Sequence, residues 1–99
     1  MLRVVARYRA RAGAGDDVAA ILAEHVVATR AEEGCLEFDA WRSVENEDEF
    51  VLIEKYRDEA AFESHRGSAH FKTYIEGQVL PLLIERTWRR YADVMPERD

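Results

Sequence analysis

A carboxylate set in an apolar strand and three histidines are the groups in this 99-residue chain best suited to moving protons. Glu54 follows Phe50, Val51, Leu52 and Ile53, and strand alternation puts it on Leu52's side of a sheet, at least partly buried. Burial without a partner raises a carboxyl pKa and makes the group usable as an acid or base near neutrality. Buried charges are as a rule paired, so the competing reading is an ion pair or hydrogen bond with an arginine of the first or last strand, or with His65. His65 falls on the inward face of a short helix beside Phe62. There an imidazole is a natural proton acceptor for a phenol or an acidic C–H, or else a satisfied core histidine. His70 follows the cap residue Ser68 and is either simply exposed, a support for the cap, or part of the same site. His25 lies on the apolar stripe of the first helix, where it is a core residue or lines the same cavity from the opposite side.

Large rings accompany these groups: Tyr8, Phe38, Trp41, Tyr56, Phe71, Tyr74 and Trp88. Packing accounts for most of them, yet a flat aromatic ligand needs such a wall with a few polar groups to orient it. His65 and Glu54 are therefore the candidate catalytic pair, and His25, Phe38, Tyr56, His70, Phe71 and Trp88 the candidate substrate-binding residues. Strand register decides which rings face a pocket. Arg3, Arg7, Arg9, Arg86, Arg89 and Arg90 lie on the first and fourth strands, neighbours in the expected topology, and either hold a phosphate or carboxylate or, more commonly, balance the acidic residues of strands two and three. The single Cys35 has no disulfide partner and no CxxC spacing, so it reads as a small core residue, and no metal or cofactor is expected.

Positioning these groups takes six elements. LRVVARYRA, residues 2–10, alternates as a strand, and Val18, Ile21, Leu22, Val26 and Thr29 mark a helix over 17–32 with Asp16 or Asp17 as its cap. Gly34 is expected to end that helix in the left-handed conformation, and Cys35 to Ser43 to form the second strand. The polar VENEDE makes a hairpin into FVLIEKY, a third strand that is apolar on both faces and must be covered on both. Asp58 caps a helix over 59–66 facing inward through Ala61, Phe62 and His65. Ser68 caps the next, with Phe71, Tyr74, Ile75, Gln78 and Val79 at helical spacing until Pro81 stops it. ERTWRRYA, residues 85–92, is the fourth strand, and the polar tail 93–99, with Pro96, is expected to fray. This order with right-handed crossovers predicts an α+β fold: the ferredoxin-like βαββαβ arrangement, a four-stranded antiparallel sheet with helices on one face. One face of the sheet is left for a second copy, so a homodimer is expected.

Size and charge narrow the function classes. A chain this short is one domain, over residues 2–92 here, and 47% apolar with 34% charged residues is an ordinary globular composition. The net charge of −6 argues against nucleic acid as a partner, and EFVLIEKY lacks the basic residue and glycines of an RNA-reading third strand. Met1 leads straight into a strand-like pattern without signal-peptide character, and no apolar run approaches the roughly 18 residues of a membrane span. No membrane association is expected, and the cytoplasm is the expected location.

The stretch Ala31-Glu32-Glu33-Gly34-Cys35-Leu36-Glu37-Phe38, EKY at 54–56, and the spacing of His65, His70 and Phe71 together resemble the antibiotic biosynthesis monooxygenase (ABM) family, over about residues 2–92. The resemblance implies a dimeric α+β barrel, two sheets packed face to face, with a pocket in each subunit between sheet and helices. It also implies cofactor-independent oxidation of a small aromatic substrate, a quinol, anthrone or polyketide, by O2. A related branch isomerises a phosphorylated hydroxy-ketone signalling metabolite. Haem-degrading relatives use an Asn, a Trp and a His where this chain has Arg7, Tyr56 and Ile75 or a neighbour, which sets haem aside. A non-catalytic small-ligand-binding dimer is the remaining alternative.

Overall fold

The computed structural model describes residues 1–95, so Pro96 and the rest of the expected tail's end lie outside the described residues. Its elements are β1 (Leu2–Ala10), α1 (Gly15–Arg30), β2 (Cys35–Arg42), β3 (Glu49–Tyr56), α2 (Glu59–Arg66), α3 (Phe71–Val79) and β4 (Leu83–Ala92). The four strands form one antiparallel sheet in the order β2-β3-β1-β4. That is the ferredoxin-like arrangement predicted from the element order.

Period-two burial fixes which side of the sheet carries the core. Along β3, Phe50, Leu52, Glu54 and Tyr56 are buried while the residues between them are half-exposed. Val4, Ala6, Tyr8 and Ala10 of β1 and Phe38 of β2 are buried as well. The helices contribute Val18, Leu22, Ala61, Phe62, Phe71, Ile75 and Val79 to the same side. Apolar area removed from water between the two layers is the main stabilising term.

Several local predictions change in the structure. The Asp16 and Asp17 side chains do not cap α1, which starts at Gly15 after Ala14 with no capping bond from its own segment. Asp48 of the β2–β3 hairpin performs that task, accepting from Gly15 N–H at 2.9 Å and Gly13 N–H at 3.3 Å. A Cβ on Gly15 would strike the Glu47 carbonyl, so this approach demands glycine. Gly34 is not left-handed, since Gly13 is the one glycine with positive φ among the described residues. It is needed because a Cβ there would collide with Ala61 Cβ of α2, a packing constraint that no local pattern reveals. Asp58 does cap α2, accepting from Ala61 N–H at 2.8 Å, and Ser68 Oγ accepts from Phe71 N–H at 3.2 Å.

The segment expected as an ordinary helix after Ser68 is wound as a π-helix over Phe71–Val79, with Leu80 N–H bonded to Ile75 O, and passes into a tight turn at Leu80–Leu82. Phe71, Ile75 and Val79 are its buried residues, while Gln78 is exposed. Hydrogen bonds one residue longer than α-helical leave the apolar pattern almost unchanged, which is why the residues do not announce them. β4 begins two residues earlier than the sequence pattern suggested, at Leu83. Beyond it Asp93 accepts a 2.9 Å bond from Arg3 Nε, tying down the first tail residue.

Candidate active site

Beneath the helices, residues from seven elements meet around one small cavity. β1 supplies Val4, Ala6 and Tyr8, β3 supplies Leu52 and Glu54, and β2 supplies Phe38. α1 contributes His25; α2 contributes Phe62, His65 and Arg66; α3 contributes Phe71; β4 contributes Arg86 and Trp88. Of the sequence-predicted residues, Glu54, His65, His25, Phe38, Phe71 and Trp88 thus share one lining. Tyr56 is fully buried behind it, and His70 stands outside the lining near His65.

The free space is about 20 Å³, enough for a single water rather than an aromatic ring. Arg66, Arg86 and Trp88 are the partly exposed members of the wall; the others are buried. Arg66 lies 4.6 Å over the Trp88 ring and 6.0 Å from Phe71, stacking that closes the outer side.

Among the described residues Glu54 has no ion pair of the kind expected for a buried charge. Tyr56, two residues along the same face of β3, donates its hydroxyl to Oε1 at 2.5 Å. Burial pushes the Glu54 carboxyl up to about 7, against opposing effects of the Tyr56 hydrogen bond and the Arg86 charge. Burial and the adjacent Glu54 drive the Tyr56 hydroxyl well above its ordinary range, so it stays a proton donor. Tyr8 is pushed up to about 12, chiefly by burial.

His65 packs 5.4 Å from the Tyr56 ring, 5.6 Å from Phe38 and 5.3 Å from Phe71. Its Nδ1 lies 2.7 Å from Oε2 of Glu32, in the turn after α1. Burial lowers the His65 pKa, and the hydrogen bond to Glu32 opposes that shift. The neutral ring must place its proton on Nδ1 to meet a carboxylate, which leaves the lone pair on Nε2. Glu32 thus sets the tautomer of His65, which faces the cavity together with Glu54. His70 Nε2 reaches the same Glu32 oxygen at 2.5 Å.

His25 is completely buried, with Nε2 at 3.4 Å from Thr29 Oγ1 and Nδ1 without a partner. Burial, reinforced by His65 and His70, lowers its pKa to about 3, so it is a neutral wall rather than a base at neutral pH. Cys35 is half-buried, bonds its own strand through the Glu37 carbonyl at 3.5 Å, and is pushed up to about 11 by burial. An inert thiol is what the sequence suggested.

A family model described as antibiotic biosynthesis monooxygenase matches residues 1–77. The chain belongs to that family. Rv0793 of Mycobacterium tuberculosis, named "Putative monooxygenase Rv0793", is 39% identical over 71 residues, covering 72% of this chain and 69% of that protein. Its solved structure superposes with a TM-score of 0.88 at 34% identity, covering 98% of each chain. "Putative monooxygenase YcnE" of Bacillus subtilis is 41% identical over 63 residues, 60% of this chain and 66% of its own length. A crystal structure described as antibiotic biosynthesis monooxygenase has a TM-score of 0.90 at 28% identity, covering 96% of this chain and 100% of that one. These relatives support a monooxygenase-type function for this ABM protein.

The matched stretch contains Glu32, Glu54, His65 and His70 but ends before β4, which brings Arg86 and Trp88 to the cavity. Sequence reasoning missed Glu32, Arg66 and Tyr8 as site residues and placed Arg86 only among a general set of arginines. Glu32 lies inside the family-like AEEG stretch, a signal read for resemblance but not for contact. No spacing rule links it to a histidine 33 residues away.

Proposed function

We propose that the protein is a cofactor-independent monooxygenase acting on a small electron-rich aromatic, of quinol, anthrone or polyketide type, with O2. The observation that carries this reading is the convergence of an oriented neutral imidazole and a near-neutral carboxyl on one ring-lined cavity. His65 Nε2 takes a proton from the substrate hydroxyl or activated C–H, and Glu32 steadies the imidazolium that forms. The substrate anion passes one electron to O2, and the radical and superoxide combine at carbon. The peroxide is protonated and loses water, leaving a carbonyl: a substrate CH2, or an aromatic C–H para to a hydroxyl, plus O2 gives C=O, or the quinone, and H2O. Glu54, hydrogen-bonded by Tyr56, is the proton donor for the departing oxygen. The chain contributes proton movement, orientation and exclusion of water.

Entry of a ring requires Arg66 and Trp88 to swing aside, since they close the outer wall. The open face of the sheet, where Val5, Val51 and Ile53 remain half-exposed in one chain, is covered by a second copy in a cytoplasmic homodimer. Oxygen uptake with a panel of hydroquinones and anthrones, without added metal or flavin, tests the proposal. Loss of about 10²–10⁴ in rate is expected for His65→Ala, the usual share of a general base. Turnover untouched by His65→Ala and Glu54→Gln removes both from the mechanism.

Arg66 and Arg86 in the same lining favour a second reading, isomerisation of a phosphorylated hydroxy-ketone whose phosphate they would hold. Turnover that persists under anaerobic conditions selects it.

A further inference from the structure

The chain has three histidines, and the fold brings all of them together. His25 lies 5.5 Å, ring centre to ring centre, from both His65 and His70, which are 6.0 Å apart. Between the latter two sits Glu32, with Oε2 at 2.7 Å from His65 Nδ1 and 2.5 Å from His70 Nε2. The three donor atoms come from three separate segments, the turn after α1, the end of α2 and the residue before α3, and lie within 4.8 Å of one another. The salt-bridge partners of Glu32 are these two imidazoles.

Two imidazoles donating to one carboxylate oxygen account for the distances by themselves. Three further features point beyond that. Two imidazoles and a carboxylate are a donor set for divalent transition metals, and three protein ligands leave coordination positions open. The cluster is also graded in access: His65 is 3% exposed, Glu32 17% and His70 22%, so an ion has a route in from one side. Beside it, with its ring centre 5.5 Å from both imidazoles, the fully buried His25 has an Nδ1 with no hydrogen-bond partner among the described residues. Around a tetrahedral ion each N···O separation would widen to about 3.3 Å, within reach of a Glu32 rotamer change.

We propose that Glu32, His65 and His70 form a binding site for a divalent transition metal of the zinc class, with His65 Nδ1, His70 Nε2 and a Glu32 oxygen as ligands. An ion on Nδ1 displaces that proton, and a neutral His65 then keeps its proton on Nε2. The ring becomes a donor and loses its power to accept from substrate. The site is thus a metal-operated off switch, a consequence that rests on the monooxygenase reading; the binding itself does not.

The test is made on full-length protein stripped with a chelator, titrated with Zn2+ by calorimetry and with Co2+ by visible absorption. One ion per chain is expected, with Co2+ ligand-field bands. Glu32→Gln and His70→Ala should each weaken binding by at least the roughly 10–100-fold that loss of an outer-shell partner costs. Glu33→Gln, at the neighbouring 94%-exposed carboxylate, should leave binding unchanged. Circular dichroism and thermal melts confirm that each variant is folded, and Glu32→Gln suffices if His70→Ala is not. Absence of saturable binding, or equal weakening by Glu33→Gln, overturns the site. Zn2+ that binds as expected yet leaves turnover intact overturns the switch. A protein with no oxygenase activity that still binds one ion leaves the site standing and rejects the proposed function alone.

Discussion

The two faces of one sheet behave as different materials. On the helix-covered face, β3 buries Glu54 and Tyr56 beside Leu52, with a hydroxyl rather than a guanidinium within hydrogen-bond distance of the acid. On the open face, charges pair across the strands: Arg9 lies 3.0 Å from Glu49, and Arg3 3.7 Å from Glu37. Water screens the second set and makes each pair worth little, whereas burial leaves the first set far from its ordinary protonation behaviour. The proposed chemistry belongs where the polar groups are few, dry and only partly compensated. The face rich in charge is the one on which the proposed dimer would pack.

Cutting the covered face should show the largest effect on stability. Leu52→Ala removes a buried side chain and should cost about 2–5 kcal/mol in chemical denaturation, while Val51→Ala on the opposite face should cost under about 1.5 kcal/mol. Similar losses at both positions would erase the distinction.

Next in size is the pH dependence attached to Glu54. With the folded carboxyl raised to about 7 from an ordinary 4.5, the folded protein holds a proton that the unfolded chain has released. The stability from this group is complete below 4.5 and is lost as pH rises through 7, a change of about 3 kcal/mol. Glu54→Gln should flatten the melting-temperature profile over that window and raise stability at pH 8. Parallel profiles for the two proteins would show that Glu54 is not proton-bearing in the fold.

A third change sharpens the comparison from the open side. Ile53 lies in register between Val5 of β1 and Asp39 of β2. Ile53→Arg should leave the monomer fold within about 1 kcal/mol of the parent, as surface substitutions do, while light scattering reports the proposed dimer falling apart. A dimer that survives would place the second copy elsewhere. Smallest of all, Arg9→Ala should cost under about 1 kcal/mol, because its partnership with Glu49 is half-exposed.

Much of this architecture was legible in the residues, and the exceptions share a cause. Alternation in FVLIEKY placed Glu54 on Leu52's side, and helical spacing turned Ala61, Phe62 and His65 inward, as observed. Asp58 and Ser68 were readable as caps because a cap acts within its own turn. The capping of α1 was not, because its acceptor, Asp48, comes from a hairpin 33 residues on. Gly34 follows a helix, where local pattern points to a backbone reason, while its real reason is the Ala61 methyl group across the fold. For the cavity, the sequence named Glu54, His65, His25, Phe38, Phe71 and Trp88 but not Arg66, nor Glu32 behind His65, and the significance of these two lies in what they touch.

Sequence by itself determined the period of each element, their order, the sheet they form and which side of each strand meets the helices, because these follow from local geometry and hydrophobic patterning. Only the tertiary structure decided that Tyr56 rather than an arginine meets Glu54, that Glu32 joins two histidines, and that Arg66 and Trp88 shut the cavity down to the size of a water. Those outcomes depend on register and on side-chain reach between distant segments, to within about an ångström, and a linear pattern does not specify distances at that scale.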